Sequence, residues 1–119
     1  MKSISVGTFF ACLEEPRQPI LIDVRRNAAR QASGMTMAGA IWRDPAHWLD
    51  WKDEVAAMAG SIVFFCVHGH EVSQGLTAAL CAMGADARYL EGGFCEWQKF
   101  GQTIPCTPSL DDASWGGAS

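Results

Sequence analysis

The chain has 119 residues, of which 49% are hydrophobic and 18% charged, and a formal net charge of −4. That length supports one domain with a real core and leaves no room for a second, and the acidic balance argues against a nucleic-acid partner or an anionic membrane surface. The apolar runs fall far short of a bilayer span, and Lys2 followed by Ser3, Ser5 and Gly7 does not read as a signal peptide, so a cytoplasmic protein is expected.

Residues 3–6 read as a first strand and residues 8–13 as a short helix that stops near Pro16. Residues 20–24 (Ile-Leu-Ile-Asp-Val) form a strongly apolar second strand, and residues 27–34 are polar and loosely helical. A brief strand is expected at 40–42, then a helical region at 45–59 that the pattern allows to break in two. The run Ile62-Val63-Phe64-Phe65 is β-branched and aromatic without alternation, as in a parallel strand covered on both faces. From Ser73 the period changes: Leu76, Ala79, Leu80 and Met83 recur at three and four, with Gly84 as the stop. A strand at 87–90 and a helix at 94–100 complete the series, and residues 107–119, rich in Ser, Gly and Asp, read as a flexible tail after a domain at 1–106. Alternation of this kind predicts an α/β fold, a parallel sheet with right-handed crossovers and helices on both faces.

The stretch 61–73 carries the chemistry. An apolar strand ends on Cys66, a compact polar loop follows, and a helix opens at Ser73. In open parallel sheets the carboxyl edge of the strands is where ligands bind. A helix amino terminus and a loop of N–H donors stabilise an anion, and such surroundings lower cysteine pKa values from about 8.5 to roughly 3.5–7.5. Cys66 is therefore the candidate nucleophile, with Val67, His68, Gly69, His70, Glu71, Val72 and Ser73 as the loop that would hold an oxyanion or a persulfide. The bland alternative is a buried structural thiol.

The other cysteines form no pattern. There is no C-x-x-C, so neither a zinc site nor a redox pair is suggested. Cys12 and Cys81 fall on apolar helix positions, Cys106 has no evident role, and Cys95 is a resolving thiol only if it approaches Cys66. His68 and His70 either assist anion binding, contribute to a metal site or face solvent. His47 reads as a surface residue, and Trp42, Trp48, Trp51 and Trp97 as core or rim aromatics.

With these elements placed, the chain resembles the single-domain rhodanese sulfurtransferases up to about Gly101. Leu21-Ile22-Asp23-Val24-Arg25 with Ala38-Gly39-Ala40-Ile41 is similar to the family's early "DVR … PGA" segment. Cys66-Val67-His68-Gly69 resembles its active loop, and Tyr89-Leu90-Glu91-Gly92-Gly93-Phe94 with Trp97 its terminal "L-x-GG-x-x-x-W" signature. The resemblance implies a five-stranded parallel sheet flanked by helices. It also implies a Cys66 that takes sulfane sulfur from thiosulfate or a persulfide and passes it to cyanide, a thiol or a sulfur-carrier protein, with no metal or organic cofactor.

Three departures qualify that expectation. Ser73 lies seven positions after Cys66 where many rhodaneses place the helix serine at six, so the loop reads one residue longer. Relatives that handle phosphate or arsenate use such a loop, and loops similar to Gly-His-x-Val-Ser accompany chromate resistance. Those enzymes, however, need a loop arginine to neutralise the oxyanion, and here Val72 stands in its place. Glu71 puts a carboxylate in the loop, which would repel a dianion if it faced the sulfur. Arg25, Arg26 and Arg43 are the cations able to supply the missing charge; for Arg25 a scaffold role through Asp-Val-Arg contacts is the competing reading. Sulfur transfer leads; an arsenate or chromate reductase or phosphatase, and a sulfur-relay module without turnover, are the alternatives.

Overall fold

A computed structural model describes residues 2–58, 60–101 and 103–106. The elements run β1 (Ser3–Ile4), α1 (Val6–Cys12), β2 (Ile20–Asp23), α2 (Asn27–Ser33), β3 (Met35–Met37), β4 (Ile41–Trp42), a 3-10 turn (Pro45–His47), α3 (Trp48–Ala56), β5 (Ile62–Phe65), α4 (Glu71–Ala82), β6 (Ala87–Leu90), α5 (Gly93–Gln98) and β7 (Thr103–Pro105). Five strands form a parallel sheet in the order β1-β6-β5-β2-β4. β5 lies at its centre with all four residues buried, which accounts for its unbroken apolar run.

Two cores follow from the pleat. Val63 and Phe65 of β5 point to one face with Leu21, and pack against Val6 and Phe9 of α1 and Phe94 and Trp97 of α5. Ile62, Phe64 and Cys66 point to the other with Ile22 and Val24, against Trp51 and Val55 of α3 and Leu76 and Leu80 of α4. Helices thus cover both faces, as the alternation of elements predicts, and the strand's two-residue period sends Cys66 to the α3/α4 side.

Several boundaries differ from the sequence reading. The first strand ends at Ile4, because Ser5 caps α1: its hydroxyl accepts from the Thr8 amide at 3.1 Å. The region 45–59 does break in two, with Asp44 accepting from the Ala46 amide at 2.9 Å to start the 3-10 turn; Ala59 lies outside the described residues, as does the expected tail at 107–119. Helix α4 starts at Glu71, not Ser73, so Ser73 sits within its first turn and Glu71 belongs to the helix rather than the loop. A second sheet, antiparallel β3 with β7, had no sequence signal. Its strands are three residues each and include a proline, so they exist by mutual pairing rather than by local preference.

Candidate active site at the carboxyl edge of the sheet

The carboxyl end of β5 delivers Cys66 to a site that three other segments complete. Cys66 is buried, and its Sγ lies 3.2 Å from the Ser73 Oγ, itself fully buried. Ser73 reaches the sulfur because it occupies the third position of α4, where a side chain points back over the helix amino end. A longer loop count along the chain thus still brings thiol and hydroxyl into contact.

The loop between them curls around the sulfur. Among the described residues, none of the backbone N–H groups of residues 67–73 has a hydrogen-bond acceptor. The carbonyls, by contrast, are anchored: the amides of Phe94 and Cys95 donate to the oxygens of Cys66 and Val67 at 2.8 and 2.9 Å, and Gln74 Nε2 donates to Gly69 at 3.0 Å. With carbonyls held outward and amides free, the loop is an anion nest at the positive end of a helix.

Two glycines make that curl possible. Gly69 has φ +73 and Gly93 φ +60, the left-handed region that other residues enter at a cost. A Cβ on Gly93 would overlap the Cys66 carbonyl and lie 2.6 Å from the Gly69 nitrogen; one on Gly69 would lie 2.7 Å from the Leu90 oxygen. The Gly92-Gly93 turn after β6 is therefore the seat on which the Cys66 loop rests.

A cavity of about 360 Å³ opens above Cys66, walled by Val24, Arg25, Arg26 and Ala29, by the loop residues Val67, His68 and His70, and by Glu71 and Val72 of α4. His68 and His70 are exposed with ring centroids 6.0 Å apart. Among the described residues no three His, Cys, Asp or Glu side chains cluster as metal ligands would. Glu71 is exposed and lines the cavity from the first turn of α4.

The expected source of positive charge is rearranged. Arg25 is only 1% exposed, and its guanidinium is committed to Asp23: Nη2 donates to Oδ2 at 2.8 Å and Nε to Oδ1 at 3.0 Å. A third bond runs from Nη2 to the Met35 carbonyl at 2.9 Å. The group stacks over Phe94 at 4.3 Å, on the α1/α5 face, with its Nη1 left without a hydrogen bond; the aromatic face stands in as partner. Arg43 pairs with Glu54 at 2.9 Å and is not part of the cavity. Both guanidinium groups are thus paired with a carboxylate. Arg26, by contrast, is exposed at the amino cap of α2, lines the cavity, and has no side-chain partner among the described residues. Cys95 is half-buried on α5 and free; Sγ of Cys66 engages Ser73 instead.

A family model for the rhodanese-like domain matches residues 11–100. The chain belongs to the rhodanese-like domain family. Solved structures share the fold: a rhodanese-like domain protein from Staphylococcus aureus superposes with a TM-score of 0.73 at 22% identity, covering 90% of this chain and 100% of that one. A thiosulfate sulfurtransferase from Pseudomonas aeruginosa matches at TM-score 0.69 and 22% identity over 87% of this chain and 19% of its own. A protein from Rhodopseudomonas palustris described as a possible tyrosine phosphatase matches at 0.72 and 18%, covering 83% and 80%. Among curated proteins no sequence matches. Among the described residues no helix is long and apolar enough to cross a membrane.

Proposed function

We propose that this rhodanese-like protein is a sulfurtransferase that carries sulfane sulfur as a Cys66 persulfide. The observation that carries the reading is the buried Cys66 thiol, in contact with Ser73 and encircled by the unpaired amides of residues 67–73. In the first half-reaction the thiolate attacks the outer sulfur of thiosulfate or a persulfide. The donor's S–S bond breaks and its electron pair leaves with sulfite or a thiolate. The terminal sulfur of the Cys66 persulfide then bears the negative charge, which the loop amides stabilise. In the second half-reaction cyanide or a thiolate attacks that sulfur and the Cys66 thiolate departs, restoring the starting state. A small-molecule thiol or a sulfur-carrier protein would serve as acceptor, in the cytoplasm.

Oxyanion reduction or phosphoryl transfer on the same loop is the weaker reading. A tetrahedral dianion needs a guanidinium at the end of the loop, and Val72 stands there with no Lys or Arg between Cys66 and Ser73.

The test is intact-protein mass spectrometry of reduced protein incubated with thiosulfate, and separately with glutathione persulfide. Gain of one sulfur atom, discharged by cyanide and absent in Cys66→Ser, is the expected result, with turnover in the variant lower by about 10³-fold or more. An unloaded thiol that still alkylates, combined with reduction of arsenate or chromate, would transfer the assignment to oxyanion chemistry.

A further inference from the structure

Helix α1 holds no Lys, Arg, Asp or Glu. Its inner side buries Val6 and Phe9, and its outer side presents Gly7, Thr8, Phe10 and Ala11 to solvent. A helix on a protein surface ordinarily turns a charged face outward, and one without such a face is ordinarily covered.

The aromatic core runs out to this surface. Phe9 meets Trp97 at 5.7 Å between ring centroids, Trp97 meets Phe10 at 6.0 Å, and Phe10 meets Phe100 at 5.9 Å. Phe9 is sealed, whereas Phe10 and Phe100 are 45% and 53% exposed. Beside this ridge lies a hollow of about 500 Å³, with Leu13, Met37, Ala38 and Trp97 among its walls and no ionisable residue lining it. What enters it is therefore uncharged and apolar.

The surface is complementary to itself. A ridge and a hollow side by side match a second copy about a two-fold axis, each ridge filling the other's hollow. The rim repeats the pattern in charge. Glu96 and Lys99 stand 3.6 Å apart on the turn that leads to Phe100, so the Glu96 of one copy can face the Lys99 of the other. Glu91 lines the recess next to Phe100 and accepts from the Ser3 hydroxyl at 2.6 Å. The two rings leave roughly 100 Å² each outside. Two copies would thus bury about 400 Å² of aromatic surface before their flanks are counted, against about 1,600 Å² for a standard interface.

We infer that two copies of this chain pair weakly across the α1/α5 face, the Phe10–Phe100 ridge of each entering the other's hollow. Cys66 points to the opposite, α3/α4 side of the sheet, so pairing leaves both thiol sites open. The inference is independent of the sulfurtransferase reading.

The test is sedimentation equilibrium of the full chain from about 5 μM to about 1 mM, where a small apolar interface is expected to exchange between monomer and dimer. Each copy carries a net charge of −4, so association should strengthen about two- to fivefold between roughly 0.05 and 0.5 M salt as that repulsion is screened. Phe100→Glu should weaken it by about tenfold or more. Ala11→Glu, which adds a charge to the exposed helix face without touching the core, should do the same while melting with the parent and loading sulfur on Cys66 at the parent's rate. A chain that stays monomeric at every concentration overturns the inference, and so does a dimer that both variants leave intact. A monomer that is destabilised by Phe100→Glu assigns the ridge to packing within one chain and also overturns it.

Discussion

At the carboxyl end of β2, the two sides of the sheet treat positive charge in opposite ways. On the α1/α5 side Arg25 is sealed between Asp23, the Met35 carbonyl and the ring of Phe94. On the α3/α4 side Arg26 stands at the edge of the Cys66 cavity with no side-chain partner among the described residues. One charge serves the scaffold and the other is available to a ligand. Stability and chemistry are therefore separable at adjacent residues.

The sharpest way to break that separation is Asp23→Asn. It would leave the Arg25 guanidinium buried without a counter-charge, at a cost of about 3–5 kcal/mol. Urea unfolding should show the loss, while the folded fraction still loads sulfur on Cys66. Gly93→Ala ought to affect both sides together. The left-handed backbone at φ +60 costs a residue with a side chain roughly 1–2 kcal/mol. Overlap with the Cys66 carbonyl also shifts the loop, and sulfur transfer should fall by about tenfold or more; stopped-flow loading and thermal melts report the two effects.

Arg26→Ala is the converse of the Asp23 variant. Its kcat/KM for anionic donors should drop by roughly three- to tenfold, less at high salt, because the group is exposed and screened, and its unfolding midpoint should not move. A destabilised Arg26 variant would mean that the two arginines are not divided as described. The smallest effect belongs to Arg43→Met. Its ion pair with Glu54 joins side chains 31% and 60% exposed, and exposed pairs contribute under about 1 kcal/mol. A large loss of sulfur transfer in this variant would return Arg43 to the site.

Much of this was legible along the chain. The apolar run of β5, the change of period into α4 and the Gly92-Gly93 turn placed Cys66 at the ligand edge before any coordinates. The true start of α4 at Glu71 has no sequence signal, because His70 and Glu71 carry no mark of a cap and the helix opens there without a side-chain cap bond. β3 and β7 carry no sequence signal because their support is tertiary: they pair with each other, Met37 is buried in the core, and the Met35 carbonyl accepts from Arg25.

Sequence alone determined the layered α/β order, the parallel sheet and the position of Cys66 at a strand's carboxyl end, because periodicity and strand-end composition are local properties. The tertiary structure decided that Arg25 is paired inside the core while Arg26 stays exposed, and that Ser73 touches the Cys66 thiol. Those depend on the direction in which each pleat sends a side chain and on what lies across from it. Arg25 and Arg26 are the same residue type at consecutive positions, and only the three-dimensional surroundings seal one guanidinium in the core and leave the other exposed at the cavity.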